Sequence, residues 1–596
     1  MSRSVLVSSL ALAVVVACGS DDPPPPPPAQ ASGVCIDGEP VAVYPAGPYA
    51  LETDGVVPPG LTFEGVDGPV ALDSFYEPCA PRSRVLVVRT SGAWCGTCQW
   101  HVAHTKALLE EPRFAERLVL LDLLVADRDN DAPDTEALVD WRSKIDAPRL
   151  VAKDPAFTFG PALATRLPLP VYVFIDTRTM KILRSAGDPP PDALFARVAS
   201  SIADVDGAEP VPAPRTPLVD GLFHAEQMDL IRGMQWKGER PPPDPTNAYE
   251  DDPGAASLGH TLFEDPTLSP NAKTSCATCH MEGLGFTDGL PQSEGVAKVD
   301  RNTPGVALAA YSRWQFWDGR ADTLWMQALL PFEDAREHGS SRLFIAHRIA
   351  ESYATKYDAV FGAKYPLPAA AIAALPPEGK PGDAAYDALS DADKERVTRV
   401  FVNVGKALAA FERSLSVGTN SFDAYAGGDL AALSKQQKDG LHMFFESGCA
   451  QCHYGPRLTD DAFHVLRFPT GRQDDAADLG RADGVKKLAG AEFLASSKWS
   501  DAPSAAKKVP AESAAMLGSF KTPPLRGLPG SAPFGHGGTF PDLLEVAAHY
   551  STRGLPHADP RAIGTTEQWV PTFDQSSVTL LPSFLETLTA PVLIPP

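Results

Sequence analysis

The sequence predicts a multidomain protein in which an α/β domain is followed by a mostly α-helical module made of two halves. Three observations predict this architecture. In the first third of the chain, apolar runs of strand length surround a Cys-x-x-Cys motif. Two Cys-x-x-Cys-His motifs, at residues 276–280 and 449–453, lie far apart in the remainder. Proline-rich stretches at residues 209–215 and 240–244 separate the two parts, so we place a linker at residues 211–244.

The first residues are typical of an export signal. Residues 1–18 carry Arg3, then an apolar run too short to span a bilayer, and end in Cys18. This ending resembles a bacterial lipoprotein signal, so we expect acylation of Cys18; the alternative is an ordinary signal peptide with an unrelated cysteine. Residues 19–33 include six consecutive prolines and are expected to form a stiff linker. The sequence therefore predicts a lipid-anchored protein facing the periplasm. By resemblance to other lipoproteins of diderm bacteria, Gly19 after the cysteine favours the outer membrane.

Size and charge narrow the classes of partner. The chain has 596 residues, which is enough for several domains. Its formal net charge of −23 argues against binding to nucleic acid. The same charge permits docking of a basic electron carrier, although it is also common in exported proteins.

The α/β domain is predicted at residues 34–210. Its predicted strands are residues 85–89, 118–125 and 171–175, and a helix follows the motif Trp94-Cys-Gly-Thr-Cys98. Strand, Cys-x-x-Cys, helix and proline-preceded strand is a thioredoxin-like order. With the tail Pro-x-x-x-Phe-Ile-Asp at residues 170–176, this segment resembles the TlpA/ResA-type periplasmic redoxins.

The cysteines of this domain are predicted to be redox-active or paired. Cys95 stands at a helix N-terminus, where the helix dipole stabilises a thiolate, and Cys98 can resolve a mixed disulfide. The alternative is a structural disulfide or a metal-binding pair. The resemblance implies that Pro170 is cis and packs against this disulfide. We expect Cys35 and Cys79 to pair, because both lie in an exported domain.

The two Cys-x-x-Cys-His motifs predict two covalently bound haem c groups. In this spacing two thiols bond the vinyl groups of one haem, and the following imidazole ligates its iron. Zinc or disulfide pairs with accidental histidines are the alternative. The residues concerned are Cys276, Cys279 and His280 for the first haem, and Cys449, Cys452 and His453 for the second.

The segments around both motifs resemble the bacterial di-haem cytochrome c peroxidases and their relative MauG. The resemblance spans residues 245–596 and is carried, among other segments, by residues 258–263, 285–288, 301–304, 316–320, 410–413, 422–425 and 522–526. It implies a haem-1 (peroxidatic) domain at residues 245–400 and a haem-2 (electron-transfer) domain at residues 401–596. A Ser-x-x-Asp capping box at Ser390 precedes an amphipathic helix that we expect to enter the second half.

The family resemblance also predicts the pocket beside the first haem. The conventional peroxidases place a second histidine ligand in the loop after the motif, but residues 281–304 contain no histidine. We therefore expect an open face for peroxide, as in MauG. Gln327, Pro331 and Glu337 match the family's distal residues, and Glu337 would move a proton between the peroxide oxygens. The alternative is that Glu337 is a solvated surface charge. His338 stands where relatives usually carry methionine.

Around the second haem, the spacing from His536 implies that Tyr550 is the distal iron ligand, as in MauG. His549 or Met516 is the alternative. A hard phenolate favours oxidised iron. Trp317 matches the family's tryptophan between the haems, where it would relay electrons, fill the core, or do both. By the same resemblance Asn302 would bind a calcium ion together with backbone oxygens near residues 521 and 523.

These features predict a haem peroxidase that reduces hydrogen peroxide to water with electrons from a small exported cytochrome or copper protein. One alternative is a MauG-like oxidase that uses peroxide to oxidise a protein substrate. The other is a tethered electron-transfer cytochrome without enzymatic activity, which requires the open face of the first haem to be capped.

Overall fold

The computed structural model describes residues 44–594, except 81, 83, 115, 161–167, 213–216, 553–558 and 571, together with the paired short strands Cys35–Ile36 and Glu39–Pro40. The predicted signal at residues 1–18, the acylation site Cys18 and the linker at residues 19–33 lie outside the described residues. Within the part of the chain that is described, no helix combines the length and the apolar character that crossing a membrane requires.

The α/β domain is built on a seven-stranded mixed sheet. Its strands are β1 (Thr62–Gly65), β2 (Gly68–Ala71), β3 (Val85–Gly92), β4 (Leu118–Ala126), β5 (Leu150–Lys153), β6 (Val171–Asp176) and β7 (Ile182–Gly187). They are ordered β2-β1-β5-β4-β3-β6-β7, with β3, β4 and β5 parallel and the outer pairs antiparallel. The three strands predicted from apolar runs are thereby confirmed, and β3 is buried along its whole length.

Among the described residues of this domain, three helices accompany the sheet: α1 (Gly96–Leu109), α2 (Thr135–Ser143) and α3 (Pro191–Asp206). The helix α1 starts directly after β3, and the sulfur of its N-cap residue Cys95 accepts a hydrogen bond from Cys98 N. Inside the sheet, buried Arg89 donates two hydrogen bonds of 2.7 Å to Asp122 of β4. The predicted thioredoxin-like α/β arrangement is confirmed.

The remainder of the chain is mostly helical, as predicted. Its helices are α4 (Ala225–Gly233), α5 (Pro253–Glu264), α6 (Cys276–Cys279), α7 (Leu324–Glu333), α8 (Arg342–Arg348), α9 (Ala354–Phe361), α10 (Ala369–Ala373), α11 (Ala384–Asp387), α12 (Asp391–Ser414), α13 (Ser421–Ala426), α14 (Lys435–Glu446), α15 (Cys449–Cys452), α16 (Arg481–Ala489), α17 (Leu543–Ser551) and α18 (Gln575–Leu585). In its described part there are also two short antiparallel strand pairs: Ser416–Val417 with Val592–Leu593, and Phe463–His464 with Phe520–Lys521.

The long helix α12 lies in the core of the first half of this module. Ser390 caps it through a hydrogen bond from Asp393 N, as the capping box predicted. Its buried face packs on α5 and α7, and Phe401 and Leu408 join the core around the first motif. The predicted boundary at residue 400 therefore falls inside a helix that packs mainly with the first half. Amphipathic spacing shows which face of a helix is buried, but it does not show which partner covers that face.

Candidate functional site

The first Cys-x-x-Cys-His motif forms one helical turn beside a cavity of about 170 Å³. Cys276, Cys279 and His280 all line this cavity. The Nδ1 atom of His280 lies 3.0 Å from Phe286 O, so it donates there and leaves Nε2 for iron. Burial lowers the pKa of His280, which keeps the imidazole neutral and able to act as a ligand.

The predicted distal residues line the same cavity. Gln327 and Pro331 lie one turn apart on α7, which begins at the N-cap residue Thr323. Glu337 follows in a loop that is held in place by a 2.9 Å hydrogen bond from Val296 N to Glu337 O. The side-chain oxygen of Gln327 is buried and has no hydrogen-bond partner among the described residues. A buried acceptor of this kind is suited to a bound ligand that carries a hydrogen.

The carboxyl group of Glu337 is set apart from ordinary surface glutamates by its surroundings. Burial raises its pKa, and Arg320 acts in the opposite direction. Glu337 is partly exposed and lines the cavity, and its catalytic role stays a prediction. The structure brings Glu337, Gln327, Pro331 and His280 to one cavity.

His338 is the second histidine that lines this cavity. Its Nε2 atom lies 3.9 Å from the sulfur of Cys276, at the edge where a thioether bond to haem would form. Burial, with a smaller contribution from His280, lowers the pKa of His338 to about 4. His338 is thus a neutral group at neutral pH, and it lies beside the attachment sulfur.

Sequence reasoning missed two ionisable groups in this cavity. Arg320 lines it, stacks on Phe316 with 3.6 Å between the guanidinium carbon and the ring centroid, and pairs with Asp318 at 3.1 Å. Glu412 of α12 also lines it, and burial raises the pKa of Glu412 to about 8. The position of Glu412 four residues after Leu408, on the apolar face of its helix, is a sequence signal that would have found it.

The second motif lines a larger cavity, of about 820 Å³. Cys449 and Cys452 lie on α15, and His453 Nδ1 lies 2.9 Å from Leu458 O, which again leaves Nε2 for iron. Tyr550 of α17 lines this cavity, and burial raises its pKa. His549 Nε2 instead donates to Leu466 O at 2.8 Å, and Met516 packs in a separate cluster with Ala482 and Val485. Of the three candidate ligands, Tyr550 is the one at the cavity wall; its role as a ligand stays a prediction.

Trp317 lines both cavities and therefore lies between them. Its Nε1 atom donates to Asn302 O at 2.9 Å. Asn302 lines both cavities too, and its side-chain nitrogen donates to Leu290 O at 2.9 Å. A cation at this point would have to use the side-chain oxygen of Asn302, and the calcium site stays a prediction.

The residues around both motifs fit two haem c groups. The four motif cysteines are free thiols, which excludes the alternative of a disulfide within each pair. Each following histidine is neutral and fixed by a carbonyl. One cluster of three potential metal ligands is found among the described residues, Cys452, Asp460 and His464, and it uses a cysteine of the second motif. Zinc binding at both motifs is therefore not supported by this donor set.

In the α/β domain, Cys95 and Cys98 form a disulfide. The Leu169–Pro170 peptide bond is cis, and Leu169 O accepts a 3.1 Å hydrogen bond from Thr97 Oγ1, which lies between the two cysteines. Cys79 is disulfide-bonded. The side chain of Cys35 lies outside the described residues, so its pairing with Cys79 stays a prediction.

Residues 253–431 match the protein family described as di-haem cytochrome c peroxidase. The chain is 32 % identical to the methylamine utilization protein MauG of Methylorubrum extorquens, over 51 % of this chain and 70 % of that protein. It is 30 % identical to MauG of Methylophilus methylotrophus, over 55 % and 83 %. The identity to the cytochrome c551 peroxidase of Pseudomonas aeruginosa is 31 %, over 49 % and 70 %.

Solved structures are similar to each part of the chain. The di-haem peroxidase BthA from Burkholderia thailandensis aligns with 60 % of this chain and 91 % of its own, at 22 % identity and a TM-score of 0.43. An exposed lipoprotein thioredoxin from Streptococcus pneumoniae aligns with 24 % of this chain and 98 % of its own, at 18 % identity and a TM-score of 0.20.

Proposed function

Because the chain belongs to the family of di-haem cytochrome c peroxidases and MauG proteins, we propose that it reduces hydrogen peroxide to two waters with electrons from a small exported redox protein. The observation that supports this reaction is the cavity in which His280, Gln327 and Glu337 meet. It combines an imidazole suited to iron, an unpaired acceptor and a partly buried carboxyl group, which are the groups that peroxide cleavage needs.

A haem bound to Cys276, Cys279 and His280 would supply the redox chemistry that breaks the peroxide bond. The Gln327 side-chain oxygen accepts a hydrogen bond from a peroxide hydroxyl and orients the substrate. The Glu337 carboxylate takes a proton from one peroxide oxygen and returns it to the other, so that one oxygen leaves as water. Burial of Glu337 favours this exchange, because it brings the pKa of the carboxyl group nearer to neutral pH.

Electrons would enter through the second haem site. Cys449, Cys452 and His453 would hold a haem there, and Tyr550 at the cavity wall is our proposed distal ligand. The indole of Trp317 lies between the two cavities and shortens the gap that an electron must cross. The donor is proposed to be a small cytochrome or copper protein, which the negative charge of the chain would attract if that donor is basic.

Replacing Glu337 with glutamine tests this mechanism. The Glu337→Gln variant keeps the size of the side chain but cannot accept the proton, so peroxide turnover should fall by roughly 10²- to 10⁴-fold while both haems stay bound. Because the active form is the carboxylate, wild-type turnover should fall as pH decreases through the raised pKa of Glu337, and the variant should lose this dependence. Stopped-flow mixing with peroxide measures both effects.

The exposed residue Glu294 of a neighbouring loop provides the control, because it does not line the cavity. Glu294→Gln should turn over peroxide at the wild-type rate. Turnover of Glu337→Gln at that same rate would remove Glu337 from the mechanism.

A MauG-like reaction, in which peroxide drives oxidation of a protein substrate through Trp317, is the second candidate. The position of Tyr550 at the wall of the second cavity favours it, because a phenolate ligand stabilises oxidised iron. Rapid mixing with and without reduced cytochrome c separates the two. Multiple turnovers with the cytochrome support the peroxidase. A long-lived oxidised state that the reduced cytochrome does not reduce supports the MauG-like reaction.

The proposed location is the periplasmic face of the outer membrane, with a lipid anchor at Cys18. This proposal rests on residues 1–33 of the sequence alone.

A further inference from the structure

The disulfide of the thioredoxin-like domain lies against the second haem motif. The helix α1, which carries Cys98, packs on α15, which carries Cys449 and Cys452. At Gly96 the two segments are so close that an added methyl group would come within 2.2 Å of the Cβ atom of Tyr454. Tyr454 directly follows the haem ligand His453. The redox motif of one domain and the haem motif of the other therefore touch.

A second contact fixes this arrangement from the other side of the disulfide. The backbone nitrogen of Leu169, which precedes the cis-proline, donates a 3.0 Å hydrogen bond to Gln451 Oε1. Gln451 lies between Cys449 and Cys452, and its side chain is buried. The start of α1 at Gly96 and the loop at Leu169 lie beside the disulfide, and both contact the haem motif or the tyrosine that follows it.

Aromatic rings connect the disulfide to the haem cavity itself. Trp94, the residue before Cys95, lies 4.6 Å from His464 and 5.8 Å from Trp569, measured between ring centroids. His464 and Trp569 both line the second cavity. A continuous path of packed side chains therefore leads from Cys95 to the space that a haem would fill.

The same packing closes the disulfide to outside partners. Cys95 and Cys98 are both 0 % exposed, whereas thiol exchange with another protein requires that an attacking sulfur reach one of them. In the haem-loaded protein Cys449 and Cys452 are bound as thioethers, so they cannot exchange with the disulfide either. In this closed arrangement, electrons can pass between the Cys95–Cys98 pair and the haem of the second motif, but thiol–disulfide exchange cannot take place.

We propose that the Cys95–Cys98 dithiol is an internal electron donor to the haem held at Cys449 and Cys452. This inference rests on the proposed peroxidase function. The two thiols lose two electrons and two protons as their S–S bond forms. One hydrogen peroxide takes up two electrons and two protons, its O–O bond breaks, and two waters result. For repeated turnover an exported dithiol reductant regenerates the pair when the interface opens; a single turnover needs only a prereduced pair.

A single-turnover experiment on the haem-loaded full-length protein tests this inference. The protein is reduced with excess dithiothreitol without oxygen, freed of the reductant, and mixed with at most one equivalent of hydrogen peroxide, which takes up two electrons. Acid quenching, alkylation of thiols and mass spectrometry then report the state of Cys95 and Cys98, while absorbance follows the haems. We expect the pair to close to a disulfide while the reduced haem spectrum is still present.

Peroxide can also attack thiols directly, and the variant Glu337→Gln distinguishes the two routes. If electrons leave the pair through the haems, disulfide formation should slow in parallel with peroxide cleavage. Direct attack would leave the rate of disulfide formation unchanged in this variant, and that result would overturn the inference.

Two variants test the path at the interface. In Gly96→Ala the new methyl group must push α1 away from Tyr454, and disulfide formation should slow roughly tenfold or more. Gln451→Ala removes the hydrogen bond from Leu169 and should also slow disulfide formation. Gly490→Ala, where an added methyl group meets nothing within 4 Å, and Gln473→Ala at an exposed position are the matched controls.

The outcomes separate this inference from the proposed function. If wild-type protein consumes peroxide with reduced cytochrome c but keeps Cys95 and Cys98 as thiols, the peroxidase stands and the internal donor is excluded, which leaves a structural disulfide. If peroxide is not consumed with any donor, the proposed function itself is wrong.

Discussion

In the proposed mechanism, Tyr550 is the ligand that lets the second haem store an oxidising equivalent. It lines the cavity with His453, and burial raises its pKa, so a metal ion would be needed to hold it as a phenolate at neutral pH. We predict that Tyr550→Phe removes the phenolate signals of the second haem in resonance Raman spectra. The reduction potential of that haem should become more positive, because the hard anionic donor is lost.

The variant Met516→Leu is the control for this change, because Met516 packs with Ala482 and Val485 away from the cavity. Its spectrum should match the wild type. An unchanged spectrum in Tyr550→Phe would show that Tyr550 only packs against the haem and that another group completes its coordination.

Single residues could be predicted from the sequence where the chemistry is local. Cys276, Cys279 and His280 lie within one helical turn, so their joint function follows from spacing alone. Arg320 was missed because it lies in a loop, where the sequence gives no periodic signal of the cavity that a side chain lines. Glu412 was missed although its place on the apolar face of α12 was such a signal. Glu337 was found only through the family resemblance, since nothing in its immediate neighbours distinguishes it from a surface glutamate.

At the level of whole elements, the crossing of α5 and α12 holds the first half of the helical module together. Gly259 of α5 lies so close to α12 that an added methyl group would come within 2.0 Å of Ala407 O. That neighbour is helical backbone and cannot move aside alone. We predict that Gly259→Ala lowers the free energy of unfolding by about 1–3 kcal/mol, measured by chemical denaturation of the haem-loaded protein.

Gly490→Ala serves as the comparison, since the added methyl group meets open space there. It should leave stability unchanged or raise it by about 0.4–1 kcal/mol through loss of freedom in the unfolded chain. Equal free energies of unfolding for the two variants would mean that α5 and α12 can move apart without cost, and that their close crossing does not contribute to stability.

The strands and α12 could be predicted because their signals are periodic and strong. The helices that pack against α12 could not be predicted, because the sequence pattern of an amphipathic helix is the same whichever core it faces. This is why the predicted boundary at residue 400 falls within α12 while the helix itself was found. The short helices α10 and α11 give no comparable periodic signal.

At the scale of the whole molecule, the loop of the thioredoxin-like domain that carries Asp129 and Asn130 contacts both halves of the helical module. Asp129 accepts a 3.1 Å hydrogen bond from Trp314 Nε1, in the core of the first half. Asn130 donates to Phe463 O at 2.9 Å and to Glu567 Oε1 at 2.7 Å, in the second half. Glu567 in turn binds His464, the ring that contacts Trp94. The cores are also shared, since Ala462 of the helical module packs into the core of the α/β domain.

This loop should therefore control how often the buried disulfide is uncovered. Asn130 has a positive φ of 65°, which glycine also adopts, so Asn130→Gly removes the amide contacts without straining the backbone. Loss of two hydrogen bonds, one of them to a carboxylate, should reduce the free energy of opening the interface by about 1–3 kcal/mol. After reduction, alkylation of Cys95 should then become roughly tenfold faster or more, because the open form is more populated.

Asp54→Gly is the matched control: Asp54 also has a positive φ, of 71°, and its ion pair with Lys181 is exposed. If both variants are alkylated at the wild-type rate, the contacts of Asn130 do not hold the two parts together, and other packing must keep the disulfide covered.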